Sequence, residues 1–408
     1  MAEIQGLYGP FIFPEKLLQK IWLRREFATD RLACADGRPL EIIDPGRWNL
    51  LGGPDFKDAR LRLAGRPVTG DVELHLRAGD WLAHGHTADP AYDRVVLHVV
   101  LFPPAPGAPA VRTSAGVALP ALVLLSRLHH DLEEYATDAA VEALAARDDF
   151  TDLEALGCRP WAERSRLLRE LADGRWRQKV RFAGLRIARL GWSAAGHHTA
   201  LEILGYRFNR APMLRIAGAF PLEQWPELGE DQLGRLLAAE AGTWSVQGVR
   251  PANHPRARLR QYGHWGRTRP DWPARLEAAA GAMRDAAIRP DCPTGEARRL
   301  LDLSALKLRL AREILDGAVG GSRLDNLFCD GFLPLLAAQT GQNLQPWWFH
   351  WYAGDLPGRL PAGLKTLGIT DGRTQPLCHG FAQGLLGWRL EREQGRLGSA
   401  GPARGGAV

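Results

Sequence analysis

The amino-acid sequence predicts an α+β protein: a small N-terminal domain built on a mixed sheet, followed by a largely helical region. Three observations carry this reading. Residues 56–76 alternate apolar and polar side chains on either side of a Gly-Arg-Pro turn, the period-two signature of paired strands. Val95 to Phe102, VVLHVVLF, is apolar on both faces apart from His98, the pattern of a strand inside a sheet. From about residue 131 the chain turns to long segments rich in Ala, Leu, Arg and Glu, with apolar residues near the helical period.

Taken in order, PEKLLQKIWLRREF over 14–27 reads as a helix, because Leu17, Leu18, Ile21 and Trp22 recur at spacings of three and four and Pro14 suits a first helical position. RPLEIIDPGRWN gives a short strand stopped by Pro45 and Gly46. In DARLRLAG, Ala59, Leu61 and Leu63 alternate with charged residues, and after the Gly65–Pro67 turn GDVELHLRAGDW alternates again. Two antiparallel strands joined by a tight turn account for both. PPAPGAPAVRT breaks the VVLHVVLF strand as a surface loop, and VALPALVLLSRL resumes in apolar residues. The texture changes between 125 and 145, which gives an α/β domain over 1–130, a helical domain over 131–395 and a flexible tail over 396–408. No repeat of fixed period suggests a solenoid.

Composition narrows the function classes. Hydrophobic residues make up 45% and charged residues 24% of 408, so disorder is not the default. The +6 charge, from 52 Lys and Arg against 46 Asp and Glu, permits a nucleic-acid face without requiring one. Five scattered cysteines with no CxxC argue against a disulfide framework and a thiolate zinc site. The N-terminus carries acidic and polar residues where a signal peptide is basic then apolar, and no apolar run has membrane-spanning length. The expectation is a cytoplasmic protein without a membrane partner.

Candidate chemistry gathers between Asp55 and His98. On a strand, Asp71, Glu73 and His75 project from one face and Val72, Leu74 and Leu76 from the other, so one side packs while the other is available for chemistry. Asp55 follows a Gly-Gly-Pro turn, and pairing of the two strands brings it toward Glu73 at the open end of the hairpin. Two converging carboxylates repel unless a cation lies between them, and magnesium or manganese is the cation such oxygens prefer. His84, His86, Asp89 and Asp93 follow, and the pair His84-Gly85-His86 offers zinc an alternative set together with His75 or Asp89. The plain alternative is that Asp55 caps a turn, Glu73 and His75 face solvent, and the loop histidines bond to backbone. His98, inside the apolar strand, reads as a core histidine that is also placed to fix one of the acids.

Pro54-Asp55 followed after a hairpin by Glu73-Leu74-His75 resembles the PD-(D/E)xK nuclease superfamily over the first 110 residues or so. The resemblance implies a restriction-endonuclease-like fold, with Asp55 and Glu73 as metal ligands and His75 positioning or activating the attacking water. The family's lysine is replaced by His75, which puts the general-base role in question, although imidazole can orient water near neutral pH. Such nucleases often place a helix glutamate near the metal, and Glu15 is the matching residue.

In the helical region, GVRPANHPRARL sets Arg250, Asn253, His254, Arg256, Arg258 and Arg260 beside Tyr262, His264 and Trp265. Interleaved cations and aromatics suit a nucleic-acid backbone with exposed bases; arginines capping neighbouring helices are the equal alternative. The aromatics of WWFHWYAGDLPG read as buried core. WNLLGGPDFKDARL, GDVELHLRAGDWLAHGH, DPAYDRVVLHVV, GVRPANHPRARL and FAQGLLGW together resemble a widespread bacterial family known as domain of unknown function 2851, over nearly the full length. Members commonly end in a cysteine-rich segment after the motif represented here by Gln383 and Gly384; this chain has only Cys378 before it and no cysteine after it. The expectation is a divalent-metal-dependent nuclease hydrolysing phosphodiester bonds in DNA or RNA, using magnesium or manganese, with zinc second and room for a protein partner. The rivals are a noncatalytic nucleic-acid-binding or scaffold protein, and a zinc-dependent hydrolase using His84 and His86.

Overall fold

A computed structural model of the chain describes residues 3–4, 13–146, 153–283, 288–356 and 359–399. The chain divides into two compact units, Met1–Thr137 and Asp138–Val408.

In the first unit a minimal antiparallel pair, β1 (Glu3–Ile4) and β2 (Phe13–Pro14), leads into helix α1 (Glu15–Arg24). Leu17, Leu18, Ile21 and Trp22 bury along one stripe of α1, and Arg25 ends the helix in a left-handed conformation. The main sheet has the order β3 (Leu40–Asp44), β5 (Phe56–Leu63), β6 (Arg66–His75), β7 (Val95–Val100), β8 (Ala121–Val123), with β4 (Arg47–Trp48) pairing on β5. The predicted hairpin is β5–β6, with Leu63 opposite Arg66. Its turn is Ala64-Gly65, both at positive φ, the geometry whose twist matches the strands.

Beyond β6 the sheet changes sense, since β6–β7 and β7–β8 are parallel. Parallel neighbours need a long crossover, and here residues 76–94 supply it: helix α2 (Asp80–Ala83) and two short 3-10 turns, His86–Ala88 and Pro90–Tyr92. This arrangement corrects the expectation of one packed face and one open face. Flanked on both sides, β6 is buried from Gly70 to His75, so Asp71, Glu73 and His75 are interior residues. Gly70 is required by close approach, because a Cβ there would lie 2.4 Å from the Val96 side chain and 2.6 Å from the Arg94 carbonyl oxygen.

The second unit is helical among its described residues. Helix α3 (Leu132–Ala145) runs across the division between the units, and α4 (Leu153–Gly157), α5 (Trp161–Leu190) and α6 (Trp192–Ala219) follow. Ten further α-helices, from Glu230–Ala239 to His379–Ser399, complete the described fold, together with the 3-10 turns Leu222–Glu227, Pro251–Asn253 and Ala280–Ala282 and the π-helical turn Leu327–Phe332. Trp347, Trp348, Phe349 and Trp351 lie in its core. The last helix continues through the first four residues of the segment expected to be a flexible tail; residues 400–408 lie outside the described ones. Among the described helices none is long and apolar enough to cross a membrane.

The FAQGLLGW string has a packing explanation. Gln383 accepts a hydrogen bond from Arg175 Nε at 2.6 Å, joining the helix His379–Ser399 to α5. Gly384 lets the two backbones touch, since a Cβ there would lie 2.1 Å from the Leu168 carbonyl oxygen. Gly384→Ala therefore forces α5 away and should destabilise the protein by about 1–3 kcal/mol, the usual cost of overpacking. Gly174→Ala, on the same α5 but with nothing within 4 Å of its added methyl, should be neutral or stabilise by up to about 1 kcal/mol. Urea unfolding of both variants checks this; equal midpoints would contradict the close-packing account.

Candidate metal centre

Three segments converge on the buried end of β6. From α1 come Glu15 and Gln19, one helical turn apart and so on one face. From the start of β5 comes Asp55, and from the crossover come His84 and His86. The sharp bend between those two histidines is at Gly85, φ +78°, which is why a glycine stands there.

Asp55 is fixed by every polar atom it has near the site. Its backbone N–H donates to Glu73 Oε2 at 2.9 Å, and Leu74 N–H donates back to Asp55 Oδ2 at 3.1 Å. Gln19 Nε2 donates to Asp55 Oδ1 at 2.6 Å, while Trp48 Nε1 donates to Gln19 Oε1 at 3.1 Å. With one oxygen held by Asp55, Glu73 turns the other, Oε1, toward the imidazoles: 3.4 Å from His86 Nε2 and 3.6 Å from His75 Nε2. His75 Nε2 is in turn 3.1 Å from His84 Nδ1. His75, His84 and His86 each bring a ring nitrogen within 4.8 Å of the others. On its far side His75 Nδ1 lies 2.9 Å from His98 Nε2, as the parallel register dictates by setting His98 opposite Glu73. Trp81 and Tyr92 wall the cluster, Tyr92 stacking on His86 at 3.8 Å between centroids.

The electrostatics follow from burial. Glu15, 7% exposed, is pushed up to about 8 by desolvation and then by Asp55 and Glu73. Desolvation raises Asp55 to about 7, with Glu73 adding to it, and raises Glu73 to about 8 against the opposing Asp55 N–H bond and Lys57. The imidazoles move the other way: desolvation lowers His75 to about 2, with His98, His86 and His84 adding, and lowers His98 to about 4. His86 is lowered mainly by burial, and its Nε2 finds no hydrogen-bond partner among the described residues.

The structure thus brings Glu15, Asp55, Glu73, His75, His84, His86 and His98 together and leaves two expected residues aside. Asp71 is buried but committed elsewhere, to Lys57 Nζ at 3.3 Å and Asp58 N–H at 3.1 Å. Asp89 is exposed and caps the turn Pro90–Tyr92 by accepting from Ala91 N–H at 2.9 Å. Gln19 was missed by sequence reasoning, although an amide one turn beyond Glu15 was the available signal. In the basic segment, Arg258 is buried and bonded to Asn253 and Gln261, Arg260 pairs with Glu230, and His254 caps its helix by accepting from Arg256 N–H. Tyr262 and Trp265 are fully buried and offer no stacking platform; Arg250 and Arg256 are exposed.

A mixed sheet with a carboxylate–imidazole cluster at its change of sense, buried except at the exposed His84, gives the chain a candidate cation site. The chain belongs to the family described as protein of unknown function, DUF2851, whose sequence profile matches residues 15–234. That span begins at Glu15 and takes in every residue of the cluster, but is shorter than the near-full-length resemblance. No curated protein and no solved structure matches the chain.

Linkage gives a pH test. The three carboxyls have folded pKa values raised above the unfolded ones, so their contribution is full below the ordinary carboxyl range and is lost as pH rises toward about 8. The depressed imidazoles contribute above their ordinary 6.5 and lose it as pH falls below that. Above about pH 7.5, where unfolded imidazoles are almost wholly neutral, the carboxyls dominate the slope among these groups, so metal-free protein should melt at lower temperature as pH rises from there. Glu73→Gln should flatten that trend; melts in chelator with the same slope for both proteins would contradict it.

Proposed function

We propose that the N-terminal unit is a divalent-metal-dependent hydrolase of phosphodiester bonds in DNA or RNA. The observation that carries it is the trio His75, His84 and His86, whose ring nitrogens all lie within 4.8 Å of one another, with Glu73 Oε1 3.4 Å from His86 Nε2 and 3.6 Å from His75 Nε2. Four ligands about 2.0–2.1 Å from one ion in tetrahedral array stand about 3.3 Å apart. The nitrogen-rich set suits manganese or zinc better than magnesium. The phosphodiester reading is supported by the order helix glutamate, Pro-Asp, hairpin, Glu-x-His, on a sheet that passes from antiparallel to parallel, as the PD-(D/E)xK resemblance implies.

In this reading His75 is a ligand, a departure from the water-positioning role expected for it. Ligation through Nε2 leaves the proton on Nδ1, which donates to His98 Nε2 and fixes the ring's orientation. Asp55 holds Glu73 in place and adds negative charge beside the ion. A bound ion supplies a water of lowered pKa and charge for the phosphoryl oxygen. Glu15, protonated near neutral pH, would serve as the acid that gives a proton to the departing oxygen.

The imidazole set also favours a second reading, a zinc-dependent hydrolase of a different bond. Metal analysis after dialysis, with single- and double-stranded DNA and RNA offered under manganese, zinc, magnesium or chelator, separates the two. One bound ion per chain and cleavage that chelator abolishes are expected, with Glu73→Gln and His86→Ala losing both. His98→Ala should weaken metal affinity by about 10–100-fold. One ion per chain with hydrolysis of carboxylic but not phosphate esters would favour the second reading. Metal content unchanged in Glu73→Gln and His86→Ala would defeat both and favour a noncatalytic binding or scaffold protein.

A further inference from the structure

The connection from β4 to β5 holds two leucines out in solvent. Arg47 stands opposite Lys57 and Trp48 opposite Phe56, so Asn49 to Asp55 form the tip of a hairpin, closed by Asn49 N–H donating to the Asp55 carbonyl oxygen at 2.7 Å. The Asn49 side chain braces the tip from within. Its Oδ1 accepts from Leu51 N–H at 3.2 Å, and its Nδ2 donates to the carbonyl oxygens of Gly52 and Pro54 at 3.1 and 2.9 Å. On this frame Leu50 is 72% and Leu51 84% exposed. Exposed leucines scattered singly are ordinary on a protein surface. Two in succession on an internally bonded loop are presented ready for contact, so docking them costs little further ordering.

The tip is tied to the metal centre and its base is cationic. Asp55 ends the loop and gives its N–H to Glu73, and the four residues from Leu51 to Asp55 span at most about 14 Å. Base steps of a duplex lie about 3.4 Å apart, so a phosphate held at the cluster brings base steps within reach of the leucines. At the foot of the hairpin the exposed Arg47 and Arg94 share the Asp58 carboxylate, at 2.5 and 2.8 Å, and Lys57 bonds Asp71 at 3.3 Å, three cations to two acids. Lys57 Nζ reaches the loop itself, 3.3 Å from where a Cβ on Gly53 would lie.

We infer that Leu50 and Leu51 are a wedge for double-stranded DNA, entering between base steps while the cationic foot of the hairpin meets the phosphates. Apolar side chains pushed between steps unstack them, and flexible pyrimidine–purine steps open most easily. Excess positive charge beside an apolar tip matches a polyanion with a stacked interior. The inference rests on the phosphodiester reading and deepens it by naming a duplex as the substrate.

Duplex DNA carrying 2-aminopurine beside a thymine–adenine step, titrated with the full chain in chelator, tests the wedge without cleavage. Fluorescence should rise on binding, because unstacking relieves the quenching of that base. Leu50→Ser combined with Leu51→Ser, at exposed positions that leave folding intact, should abolish the rise and weaken binding by about tenfold or more. Its salt dependence should match wild type, since no charge is removed. Leu308→Ser, which removes a leucine of the helical unit also 72% exposed, should change nothing. No binding of duplex by wild type, binding with no rise, or a rise retained without the two leucines would overturn the wedge. Binding to phosphatidylglycerol vesicles that the double variant loses, with no unstacking of DNA, would assign the tip to a membrane surface and overturn it as well. Unstacking by wild type without metal-dependent cleavage of the same duplex would support the wedge and defeat the catalytic reading alone.

Discussion

The exchange of hydrogen bonds between Asp55 and β6 governs the N-terminal unit. Asp55 gives its N–H to the Glu73 carboxylate and takes the Leu74 N–H on its own carboxylate, so the start of β5 is fastened by side chains where the ladder between Phe56 and Ala59 slips. Asp58 turns through a left-handed backbone at that slip, and its N–H reaches Asp71. One acid is thereby consumed in structure while its neighbour two residues on, Glu73, keeps one oxygen for the imidazoles. Gln19 carries the same constraint to α1, because a helix displaced by a fraction of a turn would lose both Asp55 and Trp48.

Burial sets the chemical character of the cluster. Desolvation drives the buried carboxyls and imidazoles alike toward their neutral forms, so the unmetallated site holds protons on Glu15 and Glu73 near neutral pH and no second proton on His75, His86 and His98. Neutral imidazoles are the ligating form, and a divalent ion favours the charged form of nearby carboxylates. In the proposed reading, cation uptake would therefore release protons, and affinity would rise with pH through the range where Glu73 and Asp55 titrate. Lys57, the cation nearest these acids in sequence, is held by Asp71.

Much of this was legible in the sequence because it depended on local period and local chemistry. The alternation of Ala59, Leu61 and Leu63 with the Gly65 turn gave the hairpin, and the hairpin gave the approach of Asp55 to Glu73. What was not legible depended on pairing between distant strands. Parallel alignment of β7 on β6 sets His98 opposite Glu73 and turns the His84–His86 segment into a crossover folded over His75, so two rival readings, an acid pair and a histidine trio, become one cluster. The same limit explains Arg258. Four arginines in eleven residues read as a surface, but the three on the helix Pro255–Thr268 point in different directions, and Arg258 faces inward to Asn253 and Gln261.

Histidine at the position where the nuclease pattern has lysine changes the charge balance as well as the reach. A lysine would place a permanent positive charge beside Glu73 and offset part of the repulsion among the three acids. His75, neutral because it is buried among other imidazoles, offsets none of it and offers a lone pair instead. In the proposed reading the two differences would be complementary: the acids would take a cation as their partner, and His75, His84 and His86 would supply ligands that a site with lysine in place of His75 would lack. His98 completes the exchange, since a ligating His75 needs its second nitrogen bonded to a fixed acceptor, and the strand that pairs in parallel with β6 places one at 2.9 Å.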